Sequence, residues 1–167
     1  RDWYYIEDVR KNVIETLTYE KVYKQGFNIN TPINLELQKI ATTSLREGLI
    51  EYDKRKGWRG PIKNKKLNKN WFNDLDKYEI EKSINWKIAI IKKINKFSAE
   101  IETKDKLKGV IKYQDITWTK KEFDDLLKVG DVVYVKQISE NNFSLQQIPK
   151  INGGIVVMDP YTGRVMA

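Results

Sequence analysis

Two stretches of alternating apolar and polar residues decide the fold: NWKIAIIKKINKFSAEIETKDKLKGVIKY (85–113) and GDVVYVKQISENNFSLQQI (130–148). A strand with one buried face carries apolar side chains at every second position, and turn residues such as Asn141-Asn142 separate consecutive strands. The first stretch therefore predicts three strands and the second predicts two. The predicted strands are 86–90, 97–102, 108–113, 132–138 and 143–148.

A short helical segment separates the third predicted strand from the fourth. Within residues 120–128, the spacing of Phe123, Leu126 and Leu127 places them on one face of one or two helical turns. Three strands, a short helix and two further strands over about 65 residues are the order of a small five-stranded OB-like β-barrel. An SH3-like barrel and a plain antiparallel meander also fit this pattern.

The residues before the barrel predict a helix, a short strand and a second helix. Apolar residues three and four positions apart, from Ile6 to Leu17, predict the first helix, whereas Phe27 to Thr31 alternates as a strand does. Asn34 suits the N-cap of a helix that continues to residue 53. The apolar stripe of that helix predicts core packing for Leu37, Ile40, Ala41, Leu45, Leu49 and Tyr52.

The residues after the barrel predict a β-hairpin. The apolar run from Gly153 to Met158 has the length of a buried strand, and DPYTG (159–163) is a turn sequence that leads into residues 164–167. The chain opens without methionine or a signal peptide and stops inside an apolar run. We therefore expect further sequence on both sides.

The basic character of the chain is local. Residues 54–70 contain eight lysine or arginine residues and no acid, which equals the net charge of +8 of the whole chain. Such a segment is a solvated linker, a loop that enters a new domain, or a docking surface for an anionic partner: peptidoglycan, anionic phospholipid or an acidic regulator. The residues of a partner contact would be Lys63, Lys65, Lys66 and Lys69. A short connecting helix is predicted by the spacing of Trp71, Leu75, Tyr78 and Lys82.

The composition excludes several kinds of chemistry. The chain has neither cysteine nor histidine, so it contains no disulfide, thiolate nucleophile or histidine general base. No serine begins a Ser-x-x-Lys sequence, and Lys-Thr-Gly and the glycine-rich phosphate-binding loop are both missing. We therefore expect no catalytic residue, no cofactor and no metal. No apolar run reaches the roughly 18 residues of a membrane span.

Two separated blocks resemble class A penicillin-binding proteins of the Gram-negative 1A type. The first block includes DWYYIEDVR (2–10), VYKQGFNINT (22–31) and GWRGP (57–61), and the second consists of QIP (147–149) and GIVVMDPYTGRVMA (154–167). Between the blocks, GDVV (130–133) is also similar. The sequence departs from the family at TPIN (31–34), where Thr-Thr-Leu-Asp is usual, although asparagine caps a helix as aspartate does.

The resemblance implies an α+β fold in which the OB-like barrel is inserted between helix-strand-helix and a terminal β-hairpin of a truncated transpeptidase domain. It implies four divisions of the chain. Residues 1–53 would hold the linker helix and the first transpeptidase elements, and 54–84 the basic linker and connecting helix. Residues 85–150 would be the OB-like domain, and 151–167 the start of the transpeptidase sheet. No catalytic residue of the family maps onto this chain.

The parent protein that the resemblance implies is a bifunctional peptidoglycan synthase on the periplasmic side of the bacterial inner membrane. Its glycosyltransferase polymerises lipid II, and its serine D,D-transpeptidase cross-links peptide stems and is acylated by β-lactams. The implied partners are the rest of the parent and a lipoprotein activator or another cell-wall synthesis protein. Membrane contact is expected only through the anchor of the parent.

The alternative is a free-standing OB-fold protein that binds single-stranded nucleic acid. Its stacking residues would be Trp86, Phe97, Tyr113, Trp118 and Phe143. Residues 86–149 hold 12 basic and 9 acidic residues, a net charge of only +3. Because affinity for nucleic acid rises with the number of phosphates neutralised, we expect no nucleic-acid partner.

Overall fold

The computed structural model describes residues 2–68, 70–78, 80 and 84–167. The chain forms two compact units. One consists of the residues up to 38 together with 156–167, and the other consists of residues 39–155. The six strands that the described residues form all lie in the second unit.

The first unit is mainly helical. Its helices are α1 (Asp2–Leu17), α2 (Tyr19–Gln25) and the first turn of α3 (Leu35–Arg55). Asn34 caps α3, because its Oδ1 accepts the backbone N–H groups of Glu36 at 2.9 Å and Leu37 at 3.1 Å. The backbone N–H of Asn34 donates to the carbonyl oxygen of Met166 at 2.9 Å, so the start of α3 contacts the end of the hairpin. The predicted helices and the cap are confirmed.

The prediction of a strand from Phe27 to Thr31 is wrong. These residues are irregular, and Phe27 and Ile29 are 44% and 48% exposed. A strand pairs its backbone N–H and C=O groups with a neighbour. Among the described residues of this unit, no strand lies beside 27–31 to provide that pairing.

The predicted terminal hairpin is present in a minimal form. Met158 and Val165 make an isolated antiparallel bridge, and the backbone N–H of Asp159 donates to the carbonyl oxygen of Arg164 at 2.9 Å. The prediction of a buried strand over 153–158 is wrong, because Val156 and Met158 are 67% and 55% exposed. Two short paired strands bury neither of their faces without a further layer.

The second unit contains a closed five-stranded barrel. The strands are β1 (Lys63–Asn64), β2 (Trp86–Asn95), β3 (Ser98–Thr103), β4 (Lys108–Lys112), β5 (Asp131–Ser139) and β6 (Asn142–Gln146). Their order is β1-β5-β2-β3-β4-β6, and pairing of β5 with β6 closes the ring of β2 to β6. β4 and β6 are parallel and the other neighbours are antiparallel. The predicted OB-like barrel and α+β fold class are confirmed, and the parallel closure excludes a plain meander.

The connection between β4 and β5 is helical, as predicted. Two 3-10 turns, Tyr113–Asp115 and Thr117–Thr119, precede the one-turn helix α4 (Phe123–Leu126). Phe123, Leu126 and Leu127 are buried in the barrel core. This short helical segment therefore contributes its apolar face to the barrel interior.

β2 from 88 to 91 and β5 from 132 to 135 are buried on both faces, because alternate residues there belong to two different apolar clusters. The barrel interior takes Ala89, Ile91, Val133 and Val135, among others. The outer cluster consists of Trp71, Leu75, Ile88, Ile90, Val132 and Tyr134. Burial on both faces explains why the two strands read as nearly continuous apolar runs.

Residues 56–68 and 70–78 follow α3, contain the short strand β1 and cover the outer cluster. Trp71 and Leu75 are 2% and 0% exposed, and the backbone N–H of Ile62 donates to the carbonyl oxygen of Val132 at 2.8 Å. The predicted connecting helix is reduced to one 3-10 turn, Asp76–Tyr78. Lys82, the last residue of that prediction, lies outside the described residues. The domain divisions at residues 53 and 84 stay predictions.

The apolar stripe of α3 is only partly buried. Ala41 is 3% exposed, whereas Ile40 and Tyr52 are 60% and 43% exposed. The prediction of core packing is therefore wrong for Ile40 and Tyr52. The other residue of α3 that is buried is a carboxylate, Asp53, at its C-terminal end.

Candidate functional site

The end of α3 and the segment that leaves the barrel meet at a buried carboxylate. Asp53 is 2% exposed. Its Oδ1 accepts Arg59 Nη1 at 2.8 Å and the backbone N–H of Lys150 at 3.2 Å, and its Oδ2 accepts Gln147 Nε2 at 2.8 Å. Arg59 also donates through Nη2 to the carbonyl oxygen of Ile148 at 2.6 Å. These five residues form the junction network.

The junction network holds the two ends of the barrel side by side. Asp53 and Arg59 precede β1, whereas Gln147 follows β6. The side chain of Gln147 makes two further bonds: its Nε2 donates to the carbonyl oxygen of Gly57 at 3.0 Å, and its Oε1 accepts the backbone N–H of Arg59 at 3.2 Å. The chain therefore enters and leaves the barrel at one place.

The electrostatics of the network favour an ionised Asp53. Burial alone raises the pKa of Asp53, but hydrogen bonds from Arg59, the Lys150 backbone and Gln147 together hold that pKa below its ordinary value. The carboxylate is thus charged at neutral pH and balanced by a guanidinium. Because donors of the same chain occupy both oxygens, the arrangement is suited to clamping backbone segments.

A second polar anchor attaches the basic segment to the start of β5. Asp131 is 4% exposed, and its two oxygens accept Asn64 Nδ2 at 2.8 Å and the backbone N–H of Lys128 at 2.7 Å. The backbone N–H of Lys65 donates to the carbonyl oxygen of Gly130 at 2.8 Å. Gly130 has φ = 90°, and a Cβ there would lie 2.3 Å from the carbonyl oxygen of Lys65. Only glycine fits this position.

The described members of the predicted contact lie in β1 or directly after it, and they differ in environment. Lys63 and Lys66 are exposed, and neither makes an ion pair with another described residue. Lys65 is half-buried, and its ammonium donates to the carbonyl oxygen of Asn73. Lys69 lies outside the described residues. The structure therefore places Lys63 in the edge strand β1, beside β5, and Lys65 and Lys66 directly after that strand.

The earlier basic residues of the segment lie against aromatic rings of the same chain. The Lys54 ammonium is 5.4 Å from the centre of the Trp118 ring, and Arg55 and Lys56 lie over Tyr52 at 5.3 Å and 5.2 Å. Burial lowers the pKa of Lys54, and the nearby charge of Lys136 lowers it further. The basic run is thus divided between residues that contact aromatic rings of the same chain and exposed residues, Lys63 and Lys66, that the later part of the segment carries.

The five aromatic residues required by the nucleic-acid alternative do not share a surface. Phe143 is fully buried, Trp118 packs against the barrel core, and Trp86 packs against the outer cluster. Phe97 is 65% exposed, and the hydroxyl of Tyr113 donates a hydrogen bond to Glu122 Oε1 at 3.1 Å. The described residues therefore provide no continuous stacking platform for bases.

Charges on the face of β2 and β3 are paired across the strands. Lys92 lies 3.1 Å from Glu102, and Lys93 lies 4.0 Å from Glu100. Within the described ranges, acidic residues are not grouped in threes as a metal site would need. Across the same ranges, helices fall short of the length and apolarity required to cross a membrane.

Sequence reasoning missed the junction network. An ion pair that is completed by residues almost a hundred positions away leaves no local pattern, and the helical periodicity indicates only that a helix ends near Asp53. Arg59 and Gln147 do lie in GWRGP (57–61) and QIP (147–149), two of the stretches that carry the family resemblance. The presence of Arg59 and Gln147 in these two stretches is the sequence signal that points to the junction network.

Comparison with known families gives a match for the barrel. Residues 58–151 match the family model described as "Penicillin-binding protein OB-like domain". The matched range begins and ends within the junction network or beside it, and it includes β1 and the loop that covers the outer cluster. The match thus corresponds to the barrel together with its covering segment.

Relatives match nearly the whole chain. Penicillin-binding protein 1A of Rickettsia prowazekii is 38% identical over 98% of this chain, and that of Escherichia coli is 25% identical over 89%. The crystal structure of penicillin-binding protein 1A from Haemophilus influenzae superposes with a TM-score of 0.66 at 25% identity over 96% of this chain. The chain spans about a fifth of the length of the curated relatives, 21% and 19%, and 24% of the crystallised chain.

Proposed function

Since the chain belongs to the family of penicillin-binding protein OB-like domains, we propose that it is the non-catalytic interdomain region of a bifunctional class A synthase. In this proposal the parent polymerises glycan strands from lipid II and cross-links their peptide stems. The barrel spaces the two catalytic domains and presents a surface to regulatory partners. The reactions themselves belong to parts of the parent outside these residues.

The observation that carries the proposal is the junction network. Hydrogen bonds from Arg59 and Gln147 to Asp53 keep the ends of the barrel together. A domain whose ends meet can be inserted into another domain without displacing the elements on either side. The contact of Asn34 with Met166 supports the same interpretation, because it joins segments before and after the barrel.

Replacement of the barrel in the full-length protein tests this function. Residues 60–146 are replaced by a short Gly-Ser linker, which retains Asp53, Arg59 and Gln147. We expect covalent labelling by a fluorescent penicillin to persist, because the acylated serine lies outside the replaced residues. Regulation by a partner should be lost.

A second variant controls for misfolding of the linker variant. In it the same residues are exchanged for the corresponding barrel of the Escherichia coli relative, so the ends remain clamped. If either protein resists proteolysis like the parent but no longer reacts with penicillin, the region takes part in catalysis and the proposal is wrong.

We place the chain on the periplasmic side of the bacterial inner membrane, because the substrates of such a synthase are available there. Its partners would be the remainder of the synthase and a lipoprotein activator or another cell-wall synthesis protein. Pull-down of the full-length protein with and without the barrel, from membranes solubilised in mild detergent, tests this assignment. Equal recovery of partners by both proteins would contradict it.

We also propose that the solvent-facing part of the basic segment is an electrostatic contact with an anionic partner. Lys63 and Lys66 are exposed and make no ion pair with described residues, whereas Lys65 is better left intact because it bonds to its own chain. The variant Lys63→Glu/Lys66→Glu should weaken partner recovery and change glycan synthesis. The matched control is Lys112→Glu/Lys121→Glu, two exposed lysines on the barrel; unchanged recovery in the first variant would refute the contact.

A further inference from the structure

Three exposed lysines and two exposed apolar side chains lie on the two segments that meet at the start of β5, residues 63–67 and 128–129. Leu67 is 45% exposed and Val129 is 48% exposed. Lys63, Lys66 and Lys128 are also exposed and make no ion pair with other described residues. We call these five residues the basic tip.

Hydrogen bonds fix the two halves of the basic tip against each other. The backbone N–H of Lys65 donates to the carbonyl oxygen of Gly130 at 2.8 Å, and Asn64 Nδ2 donates to the carbonyl oxygen of Val129 at 3.3 Å. The buried carboxylate of Asp131 bonds to Asn64 and to the backbone of Lys128. The tip is therefore preorganised, which reduces the entropy lost when it binds a surface.

The composition of the tip suits an anionic lipid surface. Ammonium groups that flank exposed apolar side chains allow the charges to contact phosphates while the apolar groups enter the boundary between headgroups and acyl chains. An acidic protein segment would use the lysines but would leave the exposure of Leu67 and Val129 without a role.

We infer that the basic tip is a contact surface for a membrane that contains anionic phospholipid. This inference rests on the proposed function, since two of the lysines belong to the contact proposed above, and it names the partner of that contact. It goes beyond the expectation that the parent touches the membrane only through its anchor. Each lysine near such a surface changes the partition coefficient by about fivefold, and salt screens the effect.

A fluorescence experiment on the chain tests this contact. The chain has no cysteine, so Leu67→Cys can be labelled singly with an environment-sensitive fluorophore. The control is Leu107→Cys, which is 42% exposed on the turn between β3 and β4. On vesicles of phosphatidylethanolamine and phosphatidylglycerol, we expect a blue shift for the label at 67 and none at 107. Raised salt or phosphatidylcholine vesicles should abolish the shift.

Substitution of the lysines completes the test. Lys63→Gln/Lys66→Gln should reduce vesicle binding by about 25-fold, and Lys112→Gln/Lys121→Gln should leave it nearly unchanged. Equal shifts at both labels, or no shift at either, would overturn the inference. Binding to polyglutamate in the absence of vesicle binding would also overturn it and would identify an acidic protein instead. None of these outcomes affects the penicillin-labelling experiment. Failure of the lipid contact is therefore distinguishable from failure of the proposed function.

Discussion

Substitution of Asp53 by asparagine should destabilise the unit formed by residues 39–155 while preserving the shape of the side chain. The carboxylate accepts three hydrogen bonds, from Arg59, Gln147 and the backbone of Lys150. Hydrogen bonds to a charged group contribute about 1.5–3 kcal/mol each. Asparagine keeps one acceptor, and Arg59 can regain water because its side chain is 29% exposed. We therefore expect a loss of about 2–3 kcal/mol in the free energy of unfolding.

Urea unfolding followed by tryptophan fluorescence measures this loss. Four of the five tryptophans lie between residues 39 and 155, so the signal reports mainly on this unit. With a slope of about 2 kcal/mol per molar urea, the midpoint should fall by about 1–1.5 M. The matched control is Glu47→Gln, an exposed carboxylate on α3, which should change stability by less than about 0.5 kcal/mol. A loss for Asp53→Asn as small as that of the control would refute the clamp.

The pH dependence provides a second check with a defined sign. The pKa of Asp53 is lower in the folded state than in the unfolded state, so its contribution is present above the unfolded value of about 3.9. That contribution disappears as the pH falls through the folded pKa. The difference in stability between the parent chain and Asp53→Asn should be constant from neutral to mildly acidic pH and should shrink below pH ~4. A difference that grows on acidification would show that the charge is not responsible.

The remaining predictions concern the barrel and α3. Gly130→Ala should cost several kcal/mol, since the new Cβ would lie 2.3 Å from the carbonyl oxygen of Lys65 at a backbone φ of 90°; near-native stability on thermal unfolding would contradict the anchor. Gly48→Ala, in α3 with open space around its Cβ, should instead stabilise the unit by about 0.5–1 kcal/mol. Tyr134→Phe removes the hydroxyl that donates to the carbonyl oxygen of Tyr78 at 2.8 Å, and calorimetry should record a loss of about 1 kcal/mol.

Local pattern predicted the barrel well because its signals are short in range. Alternation in 85–113 and 130–148 placed all five barrel strands, and the spacing of Phe123 and Leu126 placed α4. The same reasoning failed at 27–31, where alternation exists but no partner strand does. It also failed for Ile40, because periodicity reports which side of a helix is apolar and not whether that side is covered.

For the candidate site too, the sequence predicted some features and could not predict others. A count of charges along the chain located the basic segment, including Lys63 and Lys66. It could not indicate that Lys65 bonds back to its own loop or that Val129 lies beside that loop. The proximity of Val129 depends on a contact between segments distant in sequence, in which the backbone N–H of Lys65 donates to the carbonyl oxygen of Gly130.

Periodicity and charge along the chain were enough to predict the class of fold and the position of the basic segment, and the spaced motifs at 2–10, 22–31, 57–61, 147–149 and 154–167 indicated the family. The clamped ends of the barrel and the attachment of the basic segment to the barrel edge are visible only in the folded chain. A buried carboxylate such as Asp53 must find donors wherever the fold provides them. Here those donors come from Arg59, six positions away, and from Gln147, ninety-four positions away.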